Sequence, residues 1–123
     1  MQLGAVIVYV EDVAAAVDFY TRAFGLEPGE VTGDEYTELK AGSDTVLSFA
    51  ARAFIERQLP GHGRPPEGFE LALVADDVRA AFDRAVREGA EPVKQPEHMP
   101  WGQTVSYVRA PEGTLVEVCS AWH

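Results

Sequence analysis

Asp12–Pro28 reads DVAAAVDFYTRAFGLEP, and Asp77–Pro92 reads DVRAAFDRAVREGAEP. The chain makes the same statement twice: Asp-Val, an apolar stripe at helical spacing, then Gly-x-Glu-Pro. Asp12 and Asp77 are 65 residues apart, and Gly25 and Gly89 are 64 apart. A repeat at about half the length of a 123-residue chain sets the architecture before any motif is read.

Each copy spells out a helix. In the first, Val13, Ala16, Val17, Tyr20 and Phe24 fall on one face, with Asp18, Thr21 and Arg22 facing away. In the second, Val78, Ala81, Phe82, Ala85 and Val86 do the same. Aspartate caps each start and glycine each end. A short apolar strand precedes each helix: Leu3–Val10, rich in Val and Ile, and Phe69–Val74. Further strands follow. Tyr36–Lys40 and Thr45–Ala51 flank a turn at Ala41–Asp44, after a weak edge strand within Leu26–Thr32. In the second copy the strands are Pro92–Gln95, weak, then Gln103–Arg109 and Thr114–Ser120.

Each half is therefore strand, helix and three strands. The predicted organisation is a first module at 1–51, a linker at 52–68 and a second module at 69–123. Within the linker Ala53–Leu59 has the makings of a short helix, while Pro60, Gly61, Gly63, Pro65 and Pro66 interrupt regular structure. One such module cannot cover both faces of its sheet, so two must associate. An ordinary ferredoxin-like domain would need another helix after Ala90, and no helical stripe occurs there.

Composition narrows the partners. Hydrophobic residues at 46% suffice for a core, and the net charge of −10 disfavours nucleic acid and anionic membrane, which need concentrated Lys and Arg. The single cysteine, Cys119, excludes an internal disulfide. No apolar run approaches a membrane span, and no leader-like segment precedes the first strand, so cytoplasmic residence is expected.

Val10-Glu11-Asp12-Val13, Ala16, Phe19-Tyr20 and Phe24-Gly25-Leu26 resemble the opening signature of the vicinal oxygen chelate superfamily. Ala75-Asp76-Asp77-Val78 with Gly89-Ala90 is similar to its second-half signature, and Ala110–Glu117 to its ending. The superfamily holds glyoxalase I, bleomycin- and fosfomycin-resistance proteins and extradiol dioxygenases. The resemblance covers nearly the whole chain. It implies an α+β fold of two βαβββ modules, each a half-barrel around a cleft, and a homodimer.

It also implies where a divalent metal would sit. The ligand positions of the superfamily's enzymes fall on Ala5, Ser48, Glu70 and Glu117. The repeat pairs Ala5 with Glu70 at an offset of 65, and Ser48 with Glu117 at 69. A working centre needs three or four donors, usually His with Glu. Alanine cannot ligate and a serine hydroxyl is a poor donor, so Ala5 and Ser48 cannot serve, and no metal is expected. The alternative is a lyase, isomerase or dioxygenase with a rearranged ligand set around one Zn, Ni, Mn or Fe ion, for which Glu70 and Glu117 are the weak candidates. The same two carboxyls, if they share a cleft, would repel, and one would have the raised pKa of a general base.

Other chemistry is sparse. His62, His98 and His123 read as loop or terminal histidines, with His98 the one placed to overlook a cleft. Cys119 follows Glu117 by two and so faces the same side, as a small wall residue. Tyr9 shares the cleft face of the first strand with Ala5 and Ile7, while Val6, Val8 and Val10 meet the helices. Trp101 lies in a Pro- and Gly-flanked loop, where it serves as a core plug or dimer contact, or as a stacking platform for a planar ligand. The expected function is binding of an apolar or aromatic small molecule, of the drug-sequestration type, through Tyr9, Glu70, Trp101 and Glu117. The acidic balance suits a cationic ligand.

Overall fold

The computed structural model describes residues 1–42, 44–64 and 67–121. They divide into two compact units, Met1–Glu67 and the part from Gly68 onward.

The first unit opens with β1 (Ala5–Val10) and α1 (Val13–Phe24). Asp12 caps α1, its carboxylate accepting from the Ala15 N–H at 3.0 Å, and Gly25 ends it in the left-handed conformation at φ 70°. β2 (Glu27–Pro28), β3 (Tyr36–Lys40), β4 (Val46–Ala51) and α2 (Arg52–Gln58) follow. The sheet order is β1-β4-β3-β2, with β1 and β4 parallel and the other pairs antiparallel. α1 turns Val13, Ala16, Phe19, Tyr20 and Ala23 inward, and Val8, Val10, Leu39, Leu47 and Phe49 are buried with them. Tyr20 and Phe49 are in ring contact, their centroids 4.7 Å apart.

The second unit repeats the plan with β5 (Leu71–Val74), α3 (Val78–Arg87), β6 (Glu91–His98), β7 (Thr104–Arg109) and β8 (Leu115–Cys119). Its order, β5-β8-β7-β6, again has one parallel pair, β5 with β8. Asp77 caps α3 through the Ala80 N–H at 3.0 Å, as Asp12 caps α1. α3 buries Val78, Phe82 and Ala85 and packs on β6, β7 and β8. Two mixed four-stranded sheets with one long helix each make the α+β, two-module fold that the repeat predicts.

The differences are instructive. Phe69 and Glu70 precede β5 instead of opening it. The stretch expected to link the modules begins with α2, which packs on β4 and β1 and belongs to the first unit. β6 runs to His98, past the expected end at Gln95 and through Pro96, which lacks a donor. β6 is an edge strand, so only one side needs pairing, and its register slips between Lys94 and Glu97. His98 therefore ends a strand instead of lying in a loop. Its Nδ1 is 3.5 Å from Thr104 Oγ1. His62 sits in the exposed turn after α2, and His123 lies outside the described residues.

Candidate functional site

The second unit has one sheet face under α3 and one turned away from it. Val108, Val116 and Val118 alternate onto the helix side and are fully buried. Alternation puts Glu117 and Cys119 of β8, Val105 and Tyr107 of β7, and Ala72 and Val74 of β5 on the other side. Register lines them up: Ala72, Glu117 and Tyr107 form one row, and Val74, Cys119 and Val105 the next. Met99, Val105 and Cys119 pack together, with Tyr107 against them.

This face concentrates groups with displaced pKa values. Burial pushes the Glu117 carboxyl up, and the nearby charge of Glu70 adds to it. Contact with the Cys119 thiol pulls the other way. The Tyr107 phenol is pushed up by burial, then by Glu117 and Glu70, so it stays a neutral hydrogen-bond donor. Burial and Glu117 raise the Cys119 thiol to about 11. Its Sγ donates to the Leu73 carbonyl at 3.8 Å. A thiol held protonated this far above neutrality is a wall, not a nucleophile. The fold thus brings Glu70 and Glu117 into one electrostatic neighbourhood.

The corresponding face of the first unit is built differently. Ile7, Ser48 and Glu38 share a row, and Tyr9, Ala50 and Tyr36 the next. Ser48 is fully buried. The Tyr36 hydroxyl donates to Ser48 Oγ at 3.0 Å, and also reaches Glu38 Oε2 at 3.3 Å. Ala5 is half-buried on β1, opposite Val46. Tyr9 is half-buried on the face turned from α1, as alternation predicts. Trp101 is exposed in the turn between β6 and β7, hydrogen-bonded to Gln103.

Sequence reading missed three residues here: Tyr107, Tyr36 and Gln103. The offset of 69 that pairs Ser48 with Glu117 also pairs Glu38 with Tyr107. Within each half the two positions face each other across neighbouring strands, Glu38 opposite Ser48 and Tyr107 opposite Glu117. Acid and hydroxyl have traded strands between the halves, and the repeat held that signal.

A scan against family models matches residues 2–118 to the Glyoxalase/Bleomycin resistance protein/Dioxygenase superfamily. The chain belongs to this superfamily. Solved structures share its fold. A glyoxalase-related enzyme from Fulvimarina pelagi superposes with a TM-score of 0.84 at 20% identity, covering 98% of this chain and 88% of that one. A superfamily enzyme from Burkholderia phytofirmans PsJN gives 0.84 at 21%, covering 98% of both chains. TioX from Micromonospora sp. ML1 gives 0.72 at 21%, again over 98% of both. At such identities the likeness is one of fold. An uncharacterized Mycobacterium bovis protein is 30% identical over 114 residues, 85% of this chain and 73% of the relative.

The donor set does not fit the superfamily's metal centre. Of the four positions, one is the Ala5 methyl group, and one is a buried hydroxyl already engaged by Tyr36. The remaining two are the carboxyls of Glu70 and Glu117, too few donors for such a centre. Among the described residues no group of three or more His, Cys, Asp or Glu is arranged to hold a metal ion. Among them also, no helix is long and apolar enough to cross a membrane.

Proposed function

We propose that this member of the superfamily binds a small apolar or aromatic molecule, in the manner of a drug-sequestering protein, without the metal of the superfamily's enzymes. The observation that carries this reading is the state of Ser48. Ser48, one of the two first-unit positions that would donate to a metal, is sealed under Tyr36, and the other, Ala5, has no donor. What the second unit offers instead suits binding: the Tyr107 phenol, the apolar Val105 and Met99, the exposed Trp101 ring and two carboxyls as polar anchors.

We further propose that the protein acts as a cytoplasmic homodimer. Ile7 in the first unit and Val74 in the second, each on the face turned from its unit's helix, are 48% and 55% exposed, apolar side chains that a second copy would cover. Sedimentation equilibrium tests the dimer, and a monomer at micromolar concentration ends that proposal.

Titration with a panel of planar antibiotics, followed by tryptophan fluorescence, tests the binding function. Saturable quenching that is lost in Trp101→Ala and weakened in Glu117→Gln is the expected result. Metal analysis of protein purified without chelator tests the rest. Stoichiometric Zn, Ni, Mn or Fe, absent from Glu117→Ala, would overturn the metal-free reading and favour a metal-dependent lyase, isomerase or dioxygenase.

A further inference from the structure

Trp101 is 64% exposed, an unusual situation for so large an apolar side chain. Its indole N–H is nevertheless not offered to solvent. It donates to Gln103 Oε1 at 2.9 Å. Gln103 is 4% exposed, and the other end of its amide is engaged too, Nε2 donating to the Ser120 carbonyl at 2.8 Å. Only one orientation of this amide satisfies both partners, because the oxygen must face the indole and the nitrogen the carbonyl. The backbone fixes the same corner. The Met99 N–H donates to the Gln103 carbonyl at 2.7 Å, and the Gly102 N–H to the Met99 carbonyl at 3.0 Å. The Gln103 side chain also acts on the Cys119 thiol, so it reaches the wall that carries Glu117.

A buried amide thus grips the ring by its edge and leaves the rest exposed. We propose that Gln103 is a positioning residue that presents Trp101 as a platform offering only its faces, and that the ligand is a flat ring bearing a positive charge. With its one donor withheld, the indole recognises by stacking and by attraction of a cation to its electron-rich face. Glu117 and Glu70, on the same unit, complement that charge. This ligand class rests on the binding reading above, whereas the anchoring of Trp101 does not.

The anchoring is tested without ligand, in a Trp122→Phe background that leaves Trp101 the only tryptophan. Gln103→Met keeps the shape and removes the acceptor. Its fluorescence anisotropy should fall, and acrylamide quenching should rise about twofold as nanosecond ring motion is released. Unchanged anisotropy and quenching in Gln103→Met, with the parent's circular dichroism, overturn the positioning role. The ligand class is tested by calorimetry with 9-aminoacridine and its neutral counterpart of equal ring count, 9-anthracenemethanol. The cation should bind more tightly, and Trp101→Ala should weaken it about tenfold. Equal affinity for the two probes, or no binding of 9-aminoacridine, overturns the ligand class. If planar antibiotics still bind in that case, the binding function stands; if none does, it falls as well.

Discussion

Replacing Tyr36 by Phe removes one oxygen atom and should destabilise the protein by about 1–3 kcal/mol. The magnitude follows from what that oxygen does. Ser48 Oγ is fully buried and takes its hydrogen bond from the Tyr36 hydroxyl at 3.0 Å. Without that hydroxyl the serine keeps its desolvation penalty and loses its partner, which is the costly half of the asymmetry. Glu38, the other partner of the hydroxyl, is only half-buried and can turn to water, so it adds little. Ser48→Ala should cost less, about 0.5–1.5 kcal/mol, since the Tyr36 hydroxyl keeps Glu38. Once Ser48 is alanine, the second change leaves no orphan. Tyr36→Phe/Ser48→Ala should therefore be more stable than the sum of the single changes implies, by roughly 0.5 kcal/mol or more. Urea denaturation at neutral pH measures the cycle, with an unchanged slope confirming that only stability has moved. Each kcal/mol is worth about 4 °C in Tm for a chain of this length. Additive costs, or a Tyr36→Phe variant as stable as the parent, would refute the reasoning. Ser48 would then be a free hydroxyl, and the main objection to a donor at that position would weaken.

Three further outcomes are expected. The folded-state pKa of Glu117 is raised, so the native state holds its proton more tightly than the unfolded chain does. Stability should fall as pH rises from the ordinary carboxylate value through the raised one, and Glu117→Gln should flatten that part of the profile and be the more stable protein at neutral pH; an unchanged profile by thermal melts would count against it. Cys119, with its thiol near 11 and fully buried, should resist iodoacetamide at neutral pH and react only in denaturant, which mass spectrometry reads directly. Asp12→Ala and Asp77→Ala should each cost about 1 kcal/mol, since each removes the acceptor of one helix-start N–H; equal stability to the parent would mean that these caps contribute nothing.

Much of the site was legible because the chain carries two copies of its plan. Where the copies agree, as at Asp12 and Asp77, the residue serves the fold. Where they differ, as at Ser48 and Glu117, chemistry differs. Tyr107 was readable by the same comparison, as the counterpart of Glu38. Gln103 was not. Its importance lies in hydrogen bonds to Trp101 and Ser120, and the Ser120 contact joins residues 17 positions apart. Nothing in its own neighbourhood marks a glutamine that will be buried. β6 outran its expected end at Gln95 because an edge strand tolerates the missing donor of Pro96, and edge position is not a local property.

The sequence by itself determined the repeat, the capped helices, the strand faces and the unsuitability of Ala5 as a ligand. These are local matters of periodicity, capping and side-chain chemistry, and they act within a few residues. Tertiary structure alone decided that Ser48 is sealed by Tyr36, that Glu70 acts on Glu117, and that an exposed tryptophan is gripped by a buried amide. Those facts depend on burial and on which strands lie side by side. Distance in space sets them, and a linear chain does not display it.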